Sequence, residues 1–223
     1  MEGEEEEGMP VLLCCVGRSG STLLQTMVNR AIPGASMCGE NAGAIAHLMR
    51  YYRALKSSQA MNGEHYATQE AMLAAGQKPA WFNFFDLEEM RGHIRATVRA
   101  MLRPAGATVW GCKEIRFDHG ELDLLEEFRE LFPATRVIIH IRMDIHAQAQ
   151  SGWFRGKSNA AQYLRAYNAH MVAFALARPD WCFLSTFEGL FQPVTVNKLF
   201  AFLGHPAIDL AIIQQTIQQT RKH

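Results

Sequence analysis

The sequence predicts an α/β fold: one domain, residues 10–223, built on a parallel sheet with helices on both faces. Short runs rich in β-branched and other apolar residues alternate with longer stretches of helical periodicity. The runs are apolar at successive positions rather than at every second one, as in strands covered on both sides. The 223 residues, 48% hydrophobic and 20% charged, supply enough apolar material for one sizeable core, and no linker-like stretch divides them.

Residues 1–9 come first as an acidic, disordered tail, with "EGEEEE" at 2–7. "PVLLCCV" at 10–16 is the first strand, leading through a glycine-bracketed turn into a helix from about Ser21. Residues 56–85 are aromatic-rich and poorly periodic, which leaves a lid, an acceptor-binding wall or a packed surface loop open. Over 86–102, Leu87, Met90, Ile94, Val98 and Met101 recur every three or four residues, the core face of an amphipathic helix. "ATVWGCK" at 107–113 precedes the helical "ELDLLEEFRELF", and "TRVIIHI" at 135–141 precedes a helix reaching Trp153. "WCFLST" at 181–186 is the fourth strand, before the helical "VTVNKLFAFLG".

Formal net charge is zero, but five of the 22 acidic residues lie in the tail, so the body carries a small basic excess that favours an anionic ligand. No basic stripe of the kind nucleic-acid binding needs is present. The acidic start lacks a signal peptide's basic region and "VLLCCV" is too short to span a bilayer, so no membrane association and a cytoplasmic location are expected. Cys14, Cys15, Cys38, Cys112 and Cys182 are odd in number, lack C-x-x-C spacing and mostly lie in apolar runs; buried free thiols are expected rather than disulfides or zinc.

The chemistry concentrates in "GRSGSTLL", residues 17–24. Gly17 and Gly20 let successive N–H groups face inward, and Ser21 and Thr22 add hydroxyls to a partly positive helix start, a nest that suits a tetrahedral anion. A nucleoside-triphosphate loop places a lysine just before its hydroxyl residue; Gly20 occupies that place and the nearby cation is Arg18, which disfavours ATP with magnesium. An ordinary helix cap at Ser21 is the plainer alternative.

Strand plus "GRSGSTLL" resembles the 5′-phosphosulfate loop of sulfotransferases that use 3′-phosphoadenosine 5′-phosphosulfate, and the loop and base segment are closest to tyrosylprotein sulfotransferases. "MCGEN" at 37–41 resembles the segment carrying their catalytic glutamate, and "GCKEIRF" at 111–117 the strand whose lysine contacts the transferring sulfuryl group. "FPATRVIIHIRMDIHAQAQSGWF" at 132–154 resembles the strand, arginine and serine that hold the 3′-phosphate, and "STFEGL" the late tyrosine-glutamate-leucine motif. The matches run in family order from residue 11 to about residue 204. The resemblance implies a P-loop-like fold, sulfuryl transfer and no metal. It implies Glu40 as base, Lys113 and Arg18 on the sulfuryl group, and Arg18, Ser19, Gly20, Ser21, Thr22, Arg142 and Ser151 as the donor-binding set. The serine stands one residue beyond its place in the family, which Gln150 occupies, so Gln150 and Ser151 are alternatives for the 3′-phosphate.

Plainer roles stay open beside these. Glu40 fits a helix N-terminal carboxylate, Lys113 and Glu114 a solvated strand end, and Arg221 and Lys222 a frayed terminus rather than a late phosphate-binding pair. His140 fits a core histidine and His146 a surface one, with His119 the fallback base. A kinase or nucleotide hydrolase with a degenerate loop, or a silent nucleotide-binding protein, are the competing functions. The acceptor expected is a small-molecule or carbohydrate hydroxyl, a peptide being the alternative, with residues 56–85, Trp153 and Phe154 as its walls.

Overall fold

The computed structural model describes residues 8–63, 68–76, 85–117, 121–206 and 208–220. In chain order it contains β1 (Met9–Cys15), α1 (Ser21–Ala31), β2 (Ala35–Cys38), α2 (Ala44–Gly63), α3 (Gln69–Ala74), α4 (Leu87–Leu102) and β3 (Val109–Glu114). There follow α5 (Leu124–Leu131), β4 (Arg136–Ile141), α6 (Ile145–Ala149), α7 (Ala160–Leu176), β5 (Cys182–Thr186), α8 (Pro193–Phe202) and α9 (Leu210–Thr220). The expected tail through residue 7, His119, Arg221 and Lys222 lie outside the described residues, as do 64–67 and 77–84 of the aromatic-rich segment. β1 begins at Met9, whose N–H bonds the Thr108 carbonyl at 2.8 Å, so pairing starts just inside the span assigned to the tail.

All strands among the described residues are parallel, in the order β2-β3-β1-β4-β5, giving the P-loop-like single-domain α/β fold. Side-chain alternation along β1 divides the core in two: Leu12 and Cys14 join one cluster with residues of α2, α4, α5 and α7, while Val11 and Leu13 join another with α1, α8 and α9. Both faces of the central strands are therefore covered, which is why these strands read as unbroken apolar runs.

Because every strand runs the same way, all carboxyl ends meet one edge of the sheet. β3 and β4 flank β1, so the strand order reverses at β1 and opens a crevice there, the usual ligand position in open α/β sheets. The register sets Lys113 beside Leu13, Glu114 beside Cys14 and His140 beside Cys15 at that edge.

The structure corrects the sequence expectations in several places. It has a fifth strand, β2, whose four residues "ASMC" carry too little apolar pattern to stand out. The helix expected to reach Trp153 stops at Ala149; Gly152 takes φ +56 and opens a short 3-10 turn through Phe154. In α4, Leu102 rather than Met101 is buried, while Ile94 and Val98 are buried as expected. The described part of 56–85 is mainly helical, the end of α2 followed by α3, not loop. All five cysteines are free, four of them buried, and burial pushes the Cys15 thiol up to about 11 and those of Cys112 and Cys182 to about 12. No described helix is long and apolar enough to cross a membrane.

Candidate functional site

The loop after β1 is shaped from below. The Gly17 carbonyl accepts from Gln148 Nε2 at 2.9 Å and the Ser19 carbonyl from His140 Nε2 at 3.1 Å, both donors being fully buried. In a planar trans peptide the N–H of the next residue points opposite to the carbonyl. The N–H groups of Arg18 and Gly20 are thereby turned away from the core. The carbonyl can only accept, so His140 carries its proton on Nε2, and Nδ1 accepts from Ser185 Oγ at 3.0 Å. Burial holds the imidazole down to a pKa of about 4, so it is neutral: the core histidine expected.

Gly20 is the N-cap of α1, at φ +86, and no side chain caps the helix. Ser21 therefore is not the cap; it and Thr22 are the first helical residues, and both line the cleft above the loop. A Cβ on Gly20 would lie 2.2 Å from the Phe187 ring, and one on Gly17 would lie 2.0 Å from the Trp153 indole, so both glycines also make room for aromatic walls. Arg18 sits at φ +64, a conformation that costs a non-glycine residue about 1–3 kcal/mol.

The cleft measures about 630 Å³, within the range of small-ligand sites. Gly17, Arg18, Gly20, Ser21, Thr22, Glu40, Lys113, Arg142 and Ser151 line it together with Trp153, Phe187 and Phe191. Every residue of the expected catalytic and donor-binding set lines it except Ser19, which is fully buried and whose carbonyl is held by His140 instead. Gln150 is exposed and off the cleft, while Ser151 Oγ accepts from Arg18 Nε at 3.0 Å. The break after α6 is what brings Ser151 round.

Arg142 follows β4 directly. Its guanidinium lies over the Phe187 ring at 5.0 Å, and its Nε is buried with no hydrogen-bond partner among the described residues. The Glu188 carboxylate fixes the next turn by accepting from the N–H groups of Met143 and Asp144, both at 3.1 Å. That gives the "STFEGL" stretch two tasks: Phe187 walls the cleft and Glu188 anchors the Arg142 turn.

Lys113, 12% exposed, donates from Nζ to Glu40 Oε1 at 2.8 Å; Arg116 Nη1 lies 3.5 Å from Glu40 Oε2. Lys113 is no solvated strand end. Neither does Glu40 serve a helix dipole, since α2 begins at Ala44 with no acid in its first turn. Among the described residues lining the cleft, Glu40 is the single acid, against three cations: Arg18, Lys113 and Arg142.

A neighbouring cavity of about 430 Å³ shares Gly17, Ile115 and Trp153 with the cleft and adds Arg116, Phe154, Lys157 and Tyr163. Phe154 belongs to this second cavity, and none of the described residues of 56–85 lines either. Sequence reasoning missed Ile217 and Thr220, which α9 brings to the cleft from nearly 200 residues downstream of the loop with no local signal to mark them. A scan against protein-family models returns no match, and a search of curated proteins finds none that matches significantly.

Proposed function

We propose that this chain is a sulfotransferase that moves a sulfuryl group from 3′-phosphoadenosine 5′-phosphosulfate to a hydroxyl or amine acceptor. The observation that carries the reading is the convergence of three cations and an uncapped helix start on one cleft whose described lining holds a single carboxylate, Glu40. The residues suit the donor: the backbone-lined loop and α1 start fit a tetrahedral group, and the unpartnered Arg142 Nε fits a second anion on the same molecule.

Each residue then has a task. Arg18, the loop N–H groups and the hydroxyls of Ser21 and Thr22 hold the 5′-phosphosulfate, and Arg142 with Ser151 holds the 3′-phosphate. Glu40 takes the proton from the acceptor as its oxygen or nitrogen bonds to sulfur. Lys113 and Arg18 neutralise charge on the sulfuryl oxygens and on the phosphate oxygen that departs with the S–O bonding pair. The neighbouring cavity, walled by Trp153 and Phe154, seats a small-molecule or carbohydrate acceptor. A cytoplasmic location goes with this reading.

Thermal shift with two ligands tests the donor site. Adenosine 3′,5′-bisphosphate is expected to raise Tm and ATP with magnesium to leave it unchanged; the reverse would favour a kinase-like enzyme. Transfer from the donor to a panel of phenols and sugars then separates an enzyme from a silent binding protein.

A further inference from the structure

Glu114, the last residue of β3, is 1% exposed, yet its carboxylate is fully engaged. Oε2 accepts from the N–H of Asn41 at 3.2 Å and of Gly43 at 3.0 Å. Oε1 accepts from the N–H of Ile115 at 2.9 Å and of Arg116 at 3.1 Å, and Arg116 Nη1 stands 3.5 Å away. Burying a carboxylate is costly unless its oxygens are hydrogen-bonded. Here the donors come from two separate segments, one starting directly after Glu40 and the other directly after Glu114 itself, two residues beyond Lys113.

The first of these segments is strained at one residue. Gly43 adopts φ +80 freely, but Ala42 at φ +58 holds a left-handed conformation with a Cβ, and such backbone persists where the surroundings over-determine it. Two bonds to Glu114 supply that, with Asn41 Nδ2 donating to Cys112 Sγ at 3.3 Å. Arg116 then ties the same carboxylate to Glu40, lying 3.5 Å from each.

We propose that Glu114 is a positioning residue for the candidate base: its buried carboxylate pins the 41–43 turn to the end of β3 and so sets where Glu40 stands relative to Lys113. Its side chain lines neither the cleft nor the neighbouring cavity. This role rests on the sulfotransferase reading for its catalytic consequence, but the pinning of the turn is independent of it.

The test uses the full chain and Glu114→Gln, which keeps the shape while setting an NH2 group against two of the backbone donors. Hydrogen–deuterium exchange over residues 39–45 is expected to quicken at least about tenfold, with the 17–24 loop unchanged. With the best phenol or sugar acceptor of the panel, kcat is expected to fall about a hundredfold while the KM for the donor stays within about twofold. The double variant Glu40→Gln/Glu114→Gln is expected to be no slower than Glu40→Gln alone, because a group that acts through Glu40 has nothing left to position. Unchanged exchange at 39–45, or losses that multiply in the double variant, would overturn the proposal. If Glu114→Gln does not fold, Glu114→Asp, which keeps the charge and shortens the reach, is read by the same criteria. A wild-type chain that transfers to no acceptor overturns the sulfotransferase reading instead, and the exchange measurement still decides the positioning.

Discussion

Lys113 Nζ and Glu40 Oε1 stand 2.8 Å apart in the lining of the cleft, joining the ends of the neighbouring strands β3 and β2. The pair unites the proposed base with the proposed sulfuryl-contacting cation, so removing either should disable turnover. Glu40→Gln and Lys113→Ala are each expected to lower kcat by about 10²–10³-fold, or about 3–4 kcal/mol. Adenosine 3′,5′-bisphosphate binding by Glu40→Gln, followed calorimetrically, should stay near wild type. Turnover by Glu40→Gln at the wild-type rate would place the base elsewhere.

Arg142 is expected to read the 3′-phosphate. Arg142→Ala should weaken adenosine 3′,5′-bisphosphate by about ten- to a hundredfold, the value of a charge-assisted bond. Binding of adenosine 5′-monophosphate should change far less. The ratio of the two dissociation constants is the measurement, and a ratio that does not move would detach Arg142 from that phosphate.

Gly20→Ala attacks the loop by two routes. Its Cβ would press within 2.2 Å of the Phe187 ring, and φ +86 is unfavourable for alanine by about 1–2 kcal/mol. Both a lower Tm and loss of bisphosphate binding are expected. A variant with wild-type affinity would mean that the loop amides do not form the anion site.

His140 makes a pH prediction. Burial lowers its pKa from 6.5 to about 4, so below pH 6.5 the unfolded chain gains a proton that the folded chain refuses. Stability is thus lost as pH falls from about 6.5 to about 4, with this group contributing about 2 kcal/mol of that loss by pH 5. Urea unfolding of wild type and His140→Gln at pH 7 and pH 5 isolates the term. The variant should show the smaller drop, and an equal drop in both would remove His140 as its source.

The residues whose position was legible are those attached to strong local patterns. Arg18, Lys113 and Arg142 each follow or end an apolar strand, and a parallel sheet delivers all such ends to one edge. What stayed hidden depends on distant chain segments. Nothing near Gln148 or His140 announces that they hold carbonyls of a loop more than 120 residues away, and Glu114 reads as one more charge at a strand end. That Ser151 rather than Gln150 lines the cleft goes with a helix break at which Gly152 turns left-handed close to the Arg18 side chain, a long-range contact that periodicity does not show. β2 escaped because it is a four-residue edge strand whose residues all pair with β3, far along the chain, from Ala35 with Val109 to Cys38 with Cys112.

The ties beneath the loop also bear on the thermodynamics of occupancy. Gln148 and His140 fix the Gly17 and Ser19 carbonyls with the folded core, so the ordering entropy of the cradle is spent when the chain folds rather than when an anion arrives. An anion is expected to fill such a mould without rearranging it, at a rate governed by diffusion and by the field of the three cations, so that association measured by stopped flow should slow as ionic strength rises.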